Sequence, residues 1–172
     1  MNNTRVSRNI AQRLLLIINY SLLIIMVAMV GCDDETKVCD QALTTDTHIR
    51  FLRDSAGITR DTTMTQVTLY ALTIKDSIYR KQAVSNIFLP LSPVADSSRF
   101  YLKVDSISTP DTLTFRYSRE PHFISPGCGF STFFTLDTVI STTNTIRSLI
   151  INQRAITSSI NDTAHITLYF GI

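Results

Sequence analysis

The feature that most constrains this chain is a recurring two-residue alternation of apolar and polar side chains. In "RFYLKV" (99–104), Phe100, Leu102 and Val104 alternate with Arg99, Tyr101 and Lys103. "HIRFL" sets Ile49 and Phe51 against His48 and Arg50, and "QVTLYAL" sets Val67, Leu69 and Ala71 against Thr68 and Tyr70. "TLTFRY" repeats it with Leu113, Phe115 and Tyr117, "FSTFFTLDTVI" with Phe130, Phe134, Leu136 and Ile140, and "HITLYF" with Ile166, Leu168 and Phe170. Successive side chains of a strand point to opposite faces, so each run describes a strand with one face in a core. "NIFLPL" reads as an edge strand, because Pro90 has no N–H for a ladder. "TIRSLIINQ" suits a strand or a short helix.

Breaks rich in Gly, Pro, Ser and Asp separate the runs: "DSAGITRD", "SPVADSS", "SISTPD", "REPHFISPGCG" and "TSSIND". Helix formers are scarce; Glu occurs only at positions 35 and 120, whereas Thr is abundant. The expected fold is all-β, an antiparallel β-sandwich of about seven to eight strands, or a barrel-like sheet, after a cleaved lipoprotein signal peptide.

The first 31 residues have a different character. Arg5, Arg8 and Arg13 stand in a segment without acids, and 14–31 is apolar apart from Asn19, Tyr20 and Ser21. A basic start, an apolar middle and small residues before a junction describe a secretory signal. Eighteen residues at about 1.5 Å each reach about 27 Å, so an uncleaved span is the rival reading. Conventional cleavage and secretion is the third. The junction "VGC" resembles the bacterial lipobox, in which the cysteine thiol takes the lipid and the chain is cut before it. The expected organisation is therefore a signal peptide at 1–31, lipidated Cys32 with an acidic tether at 32–38, and one β domain at 39–172. The membrane is then a partner through lipid on Cys32, and the location is the outer membrane, on its periplasmic or cell-surface side.

Cleavage would change the charge balance. The full chain carries 16 Lys and Arg against 14 Asp and Glu. Without the three leading arginines the bases number 13, a balance of −1. No basic face is implied, and nucleic acid is not an expected partner. Of three cysteines, lipidation would take Cys32 and leave Cys39 and Cys128, which in an oxidising compartment most simply form one disulfide. A metal site from Cys39, Cys128 and His122 matches no zinc spacing, and no cofactor is expected.

The segments "VCDQALTTDTHIRFLRD", "DTLTFRYSREPHFISPGCGFSTFFTLDTV" and "NDTAHITLYF" resemble a family of uncharacterised Bacteroidetes cell-envelope lipoproteins. The shared features are the lipobox, a cysteine ahead of an "IRF"-type strand, "CGF" followed by aromatics, and a closing strand. The resemblance implies a small β-rich lipoprotein without an assigned activity, and it carries Cys39 and Cys128 over as the cysteine pair. Acids directly after the lipidated cysteine, as in "CDDE", resemble that group's signal for transfer to the cell surface; a solvated linker explains them equally well. Asp-Ser/Thr-apolar triplets such as "DSI" (76–78) and "DTL" (111–113) resemble its O-glycosylation sites, although β alternation also generates them.

The motifs of catalysis are missing: no G-x-S-x-G, no H-E-x-x-H and no Gly-rich phosphate loop. His48, His122 and His165 stand in no recognisable constellation, and Asp mostly precedes Ser or Thr, where it caps turns. The expected role is a non-catalytic envelope module that binds a protein or glycan partner, or is structural. Tyr70, Tyr101 and Tyr169 occupy polar-side positions and are the candidate surface aromatics for such binding. An envelope glycan hydrolase and a small inhibitor or assembly accessory are the alternatives; a long protruding "YSREPHFISPGCGF" would favour the last.

Overall fold

The computed structural model describes Arg13 and residues 16–22, 44–55, 57–74, 76–158 and 163–171. Two compact units divide the chain, Met1–Val38 and Cys39–Ile172. In the first, the described residues are helical and exposed. No helix among the described residues is long and apolar enough to cross a membrane. Of the expected signal peptide only Arg13 and 16–22 are described, and Cys32, the acidic tether and Cys39 lie outside the described residues.

The second unit is all β and sandwich-like. Its strands are β1 (Asp46–Ser55), β2 (Ile58–Asp61), β3 (Met64–Ala71), β4 (Ser77–Val84), β5 (Asn86–Pro90), β6 (Ser97–Lys103), β7 (Asp111–Ser125), β8 (Gly129–Ser141), β9 (Ile146–Ile151), β10 (Ala155–Ile156) and β11 (Ile166–Gly171). One sheet has the order β2-β1-β11-β9, with β5 also paired to β1; the other runs β10-β8-β7-β6-β3-β4. Along β1, β5 pairs with residues 46–50 and β2 with 52–55, so the two short strands follow each other along one side.

Most of the alternating residues meet in one core; Phe130 and Ile140 of the run "FSTFFTLDTVI" do not, since both are exposed, and a register shift opposite Arg116 and Tyr117 leaves Val139 buried instead of Ile140. Ile49 and Phe51 of β1, Ile87 and Leu89 of β5 and Leu168 and Phe170 of β11 supply one sheet's inner face. Val67 and Leu69, Phe100 and Leu102, Leu113, Phe115 and Tyr117, and Phe134 and Leu136 supply the other. Edge-to-face contacts between Phe51 and Phe170, Phe100 and Phe115, and Tyr117 and Phe134 fix the aromatic packing. Each large side chain so buried stabilises by about 1.5–3 kcal/mol relative to exposure.

The expectation needs correcting in its details. The described residues form eleven strands rather than seven or eight, and the sheets are not wholly antiparallel: β1 and β11 run parallel, Ile49 opposite Ile166 and Phe51 opposite Leu168. A parallel pair needs no local turn, so no short stretch of sequence announces it. β11 is buried almost continuously from Ile166 to Leu168, as a central parallel strand should be. The segment "TIRSLIINQ" contains β9, a strand set by its antiparallel pairing with β11. "DSAGITRD" holds the end of β1 and all of β2, whose four residues are exposed and therefore lack alternation. β4 is an edge strand with register shifts and with Lys81 at φ 48°, a break that discourages pairing with another chain.

The crossover from β8 to β9 carries the chain from one sheet to the other, and Asp111 holds it. This carboxylate is fully buried at the start of β7. Thr142 Oγ1 donates to it at 2.7 Å, and the backbone N–H groups of Asn144, Thr145 and Ile146 donate at 2.8, 2.8 and 3.1 Å; the Thr145 hydroxyl is a further donor. Burial pushes the Asp111 pKa up, but the donors from Thr145, Thr142 and Asn144 outweigh it and hold the carboxyl below the usual 3.8. An aspartate depressed in this way stabilises the fold fully above its unfolded value, and the contribution is lost as pH falls through 3.8 towards the folded pKa. Asp111→Asn replaces one acceptor oxygen with a donor facing donors, and should cost roughly 3 kcal/mol in denaturant titration at neutral pH. The gap between variant and native protein should close as pH falls below about 4.

Candidate functional site

Tyr70 and Tyr101 are direct neighbours on β3 and β6. Their inward neighbours Leu69 and Leu102 are buried, so the two-residue period sends both tyrosines to the outer face of the six-stranded sheet. The rings stack with centroids 4.6 Å apart and planes 16° from parallel. Arg99 and Lys103 lie two residues to either side of Tyr101 on the same face. Across the ladders Thr68 stands opposite Lys103, Thr112 opposite Tyr101 and Thr114 opposite Arg99. Arg116, exposed on β7, adds a third cation. Among the described residues, neither Arg99 nor Arg116 has a carboxylate within ion-pair distance. The face is thus a stacked aromatic pair bordered by hydroxyls and positive charge.

Tyr169 does not join them. It lies on β11 in the other sheet, opposite Leu52 of β1 and Ser148 of β9, on that sheet's outer side. The three candidate tyrosines therefore resolve into one pair and one separate residue.

A cleft of about 410 Å³ opens at one end of the domain, lined chiefly by Ala71, Ile74, Ile78, Pro90, Leu91 and Phe100. On one side of it, Ser98 Oγ and Tyr117 OH lie 2.7 Å apart, and the Ser92 N–H donates to both at 3.1 and 3.0 Å. These bonds fix Ser92, Ser98 and Tyr117 relative to one another.

Sequence reasoning read the far ends of β7 and β8 as a break or a protruding loop, and missed that they pair into an arm. "REPHFISPGCG" reads as a break, yet Glu120 to Phe123 pair in register with Phe133 to Phe130. Pro121 is tolerated because β6 ends at Ser97, opposite Arg116, and leaves β7 with β8 as its ladder partner at that point. The turn closes through Cys128 N–H to Ser125 O at 3.2 Å, with Gly129 at φ +72°, a conformation glycine adopts without strain. His122 stacks on Phe133 at 4.3 Å, and Phe123 meets Phe130 at 5.3 Å with both rings largely exposed. The available signal was the near-symmetric placing of aromatics about "SPGCG".

Cys128 sits in the arm's turn, its N–H on Ser125. Its expected mate Cys39 and the expected lipid carrier Cys32 lie outside the described residues, so neither assignment is decided by the fold. No group of three or more His, Cys, Asp or Glu side chains among the described residues is placed to hold a metal.

The histidines have structural surroundings. His122 lies on β7, not in a loop, against Phe133. His48 stacks on Phe88, its ladder partner, at 4.6 Å. His165 is buried just ahead of β11; its Nδ1 accepts the His48 N–H at 3.0 Å and its own N–H donates to His48 O at 2.9 Å. Burial, and secondarily His48, lower the His165 pKa below 6.5. A depressed base is kept neutral by the fold, so stability is complete above pH 6.5 and falls as the unfolded chain takes up the proton below it. Thermal unfolding of the native protein should therefore weaken on acidification from about pH 6.5. In His165→Asn, whose Oδ1 can still accept the His48 N–H, that part of the profile should flatten; an unchanged slope would assign the effect to another group.

The model of a family described as "Family of unknown function (DUF6452)" matches residues 66–170. The span runs from within β3 to β11 and includes Tyr70, Tyr101, Asp111 and the whole arm. No curated protein and no solved structure matches the chain.

Proposed function

The chain belongs to this family of unknown function, DUF6452, and on that premise we propose that it is a lipid-anchored module of the cell envelope, without catalysis of its own, that holds an anionic glycan on the outer face of its six-stranded sheet. The observation that carries this reading is the Tyr70–Tyr101 stack, 4.6 Å between centroids, with Arg99 and Lys103 on either side of Tyr101. Tyrosine offers an apolar ring for the C–H face of a sugar and a hydroxyl for its rim. Arginine adds a planar fork for a carboxylate or phosphate. The lipobox-like "VGC" ending at Cys32 supports the anchor and an outer-membrane location. Once lipid occupies Cys32, Cys39 and Cys128 remain to form one disulfide in an oxidising compartment.

Affinity electrophoresis in gels containing polygalacturonate or neutral dextran tests the binding. The native chain should be retarded by the acidic polymer, more strongly at low salt. Tyr101→Ala should lose most of that retardation, and Arg99→Ala should lose the preference for the acidic polymer over dextran. Absence of retardation in both gels, with one stoichiometric protein recovered from native envelope by pull-down, would replace the glycan with a protein partner.

A further inference from the structure

We propose that the tip of the β7–β8 arm is a second membrane contact, in which Phe123 and Phe130 enter the lipid interface beside the acyl anchor. The proposal rests on the lipoprotein reading of Cys32 for its geometry, and on the arm itself for its chemistry. Phe123 and Phe130 are ladder partners, so they project on one face, and they are 52% and 69% exposed. Two neighbouring phenyl rings left this open are unusual on a surface that serves water alone. Between Pro121 and Leu136 the sequence contains no Asp, Glu, Lys or Arg, although 17% of the chain is charged. A tip with aromatic rings and no Asp, Glu, Lys or Arg has little to lose on leaving water for the headgroup layer.

The path of the chain selects a lipid surface as the occupant. The described domain begins at Thr44, and Thr45 Oγ1 donates to Thr132 O on the arm at 2.7 Å. Thr44, Thr45, Phe130 and Thr132 line one shallow depression. The described domain therefore starts beside the arm. A diacylated or triacylated cysteine already holds the chain on the membrane. The second contact would instead fix the domain's orientation.

The chain contains no tryptophan, so one introduced indole is an unambiguous reporter. Phe123→Trp and Phe130→Trp in the full native chain, reconstituted into phosphatidylethanolamine–phosphatidylglycerol vesicles, should shift their emission to shorter wavelength. They should also lose most of their intensity when brominated lipids replace the ordinary ones. Phe88→Trp, on β5 and 46% exposed, should show neither change. Mass spectrometry of the same samples reads acylation separately. An acylated chain whose indoles at 123 and 130 stay unshifted and unquenched overturns the arm contact and leaves the lipoprotein reading intact. An unacylated chain whose indoles are quenched supports the arm contact and overturns the lipoprotein reading. Emission shifts that grow with protein concentration and ignore bromolipid assign the tip to a second copy of the chain, and also overturn the proposal.

Discussion

A single buried carboxylate fixes one of the passages by which the chain moves between the two sheets of this fold. Two sheets with apolar inner faces would attract each other in many arrangements, because hydrophobic burial has little directional preference. The Asp111 carboxylate supplies direction. It stands on β7 in one sheet and collects hydrogen bonds from Thr142, Asn144, Thr145 and Ile146 as the chain enters β9 in the other. Its negative charge is stabilised by backbone and hydroxyl donors instead of a cation, an arrangement possible only while the crossover keeps its shape. Satisfying a buried charge so completely makes alternatives expensive, since any slip of β9 strands both the anion and its donors.

The alternation in the sequence carried the information for much of the core. Phe100, Leu102, Leu113, Phe115 and Leu168 all point inward as their period demands, because burial of one face is the direct cause of that period. What the alternation lacks is partner identity. Nothing within "HIRFL" or "HITLYF" specifies that they pair in parallel across the length of the chain. Strands without a buried face left no periodic trace at all, as β2 shows, and the polar, Pro-containing half of β7 resembled a loop for the same reason. Asp111 illustrates a further limit. In "TPDTLTF" it reads as an ordinary turn aspartate, and its role emerges only when residues 142–146 are folded against it.

The candidate site was legible in the same partial way. Tyr70 and Tyr101 were recognisable as outward residues, but their stacking depends on a register between β3 and β6 that neither strand encodes alone. Tyr169 satisfied the same local rule and belongs to the opposite sheet. The arm was hidden because its exposed aromatics serve no core, and so obey no burial pattern. Its chemistry becomes interpretable only when the charge-free tip and the neighbouring residues Thr44 and Thr45 are considered together.

Amide hydrogen exchange tests the central role of Asp111 most directly. In the native protein at neutral pH, the N–H groups of Asn144, Thr145 and Ile146 should exchange as slowly as those of the core strands, although Asn144 is exposed at the surface. In Asp111→Asn all three should lose protection together, and the amides of β9 with them. Rapid exchange at these positions in the native chain, or undiminished protection in the variant, would contradict the account.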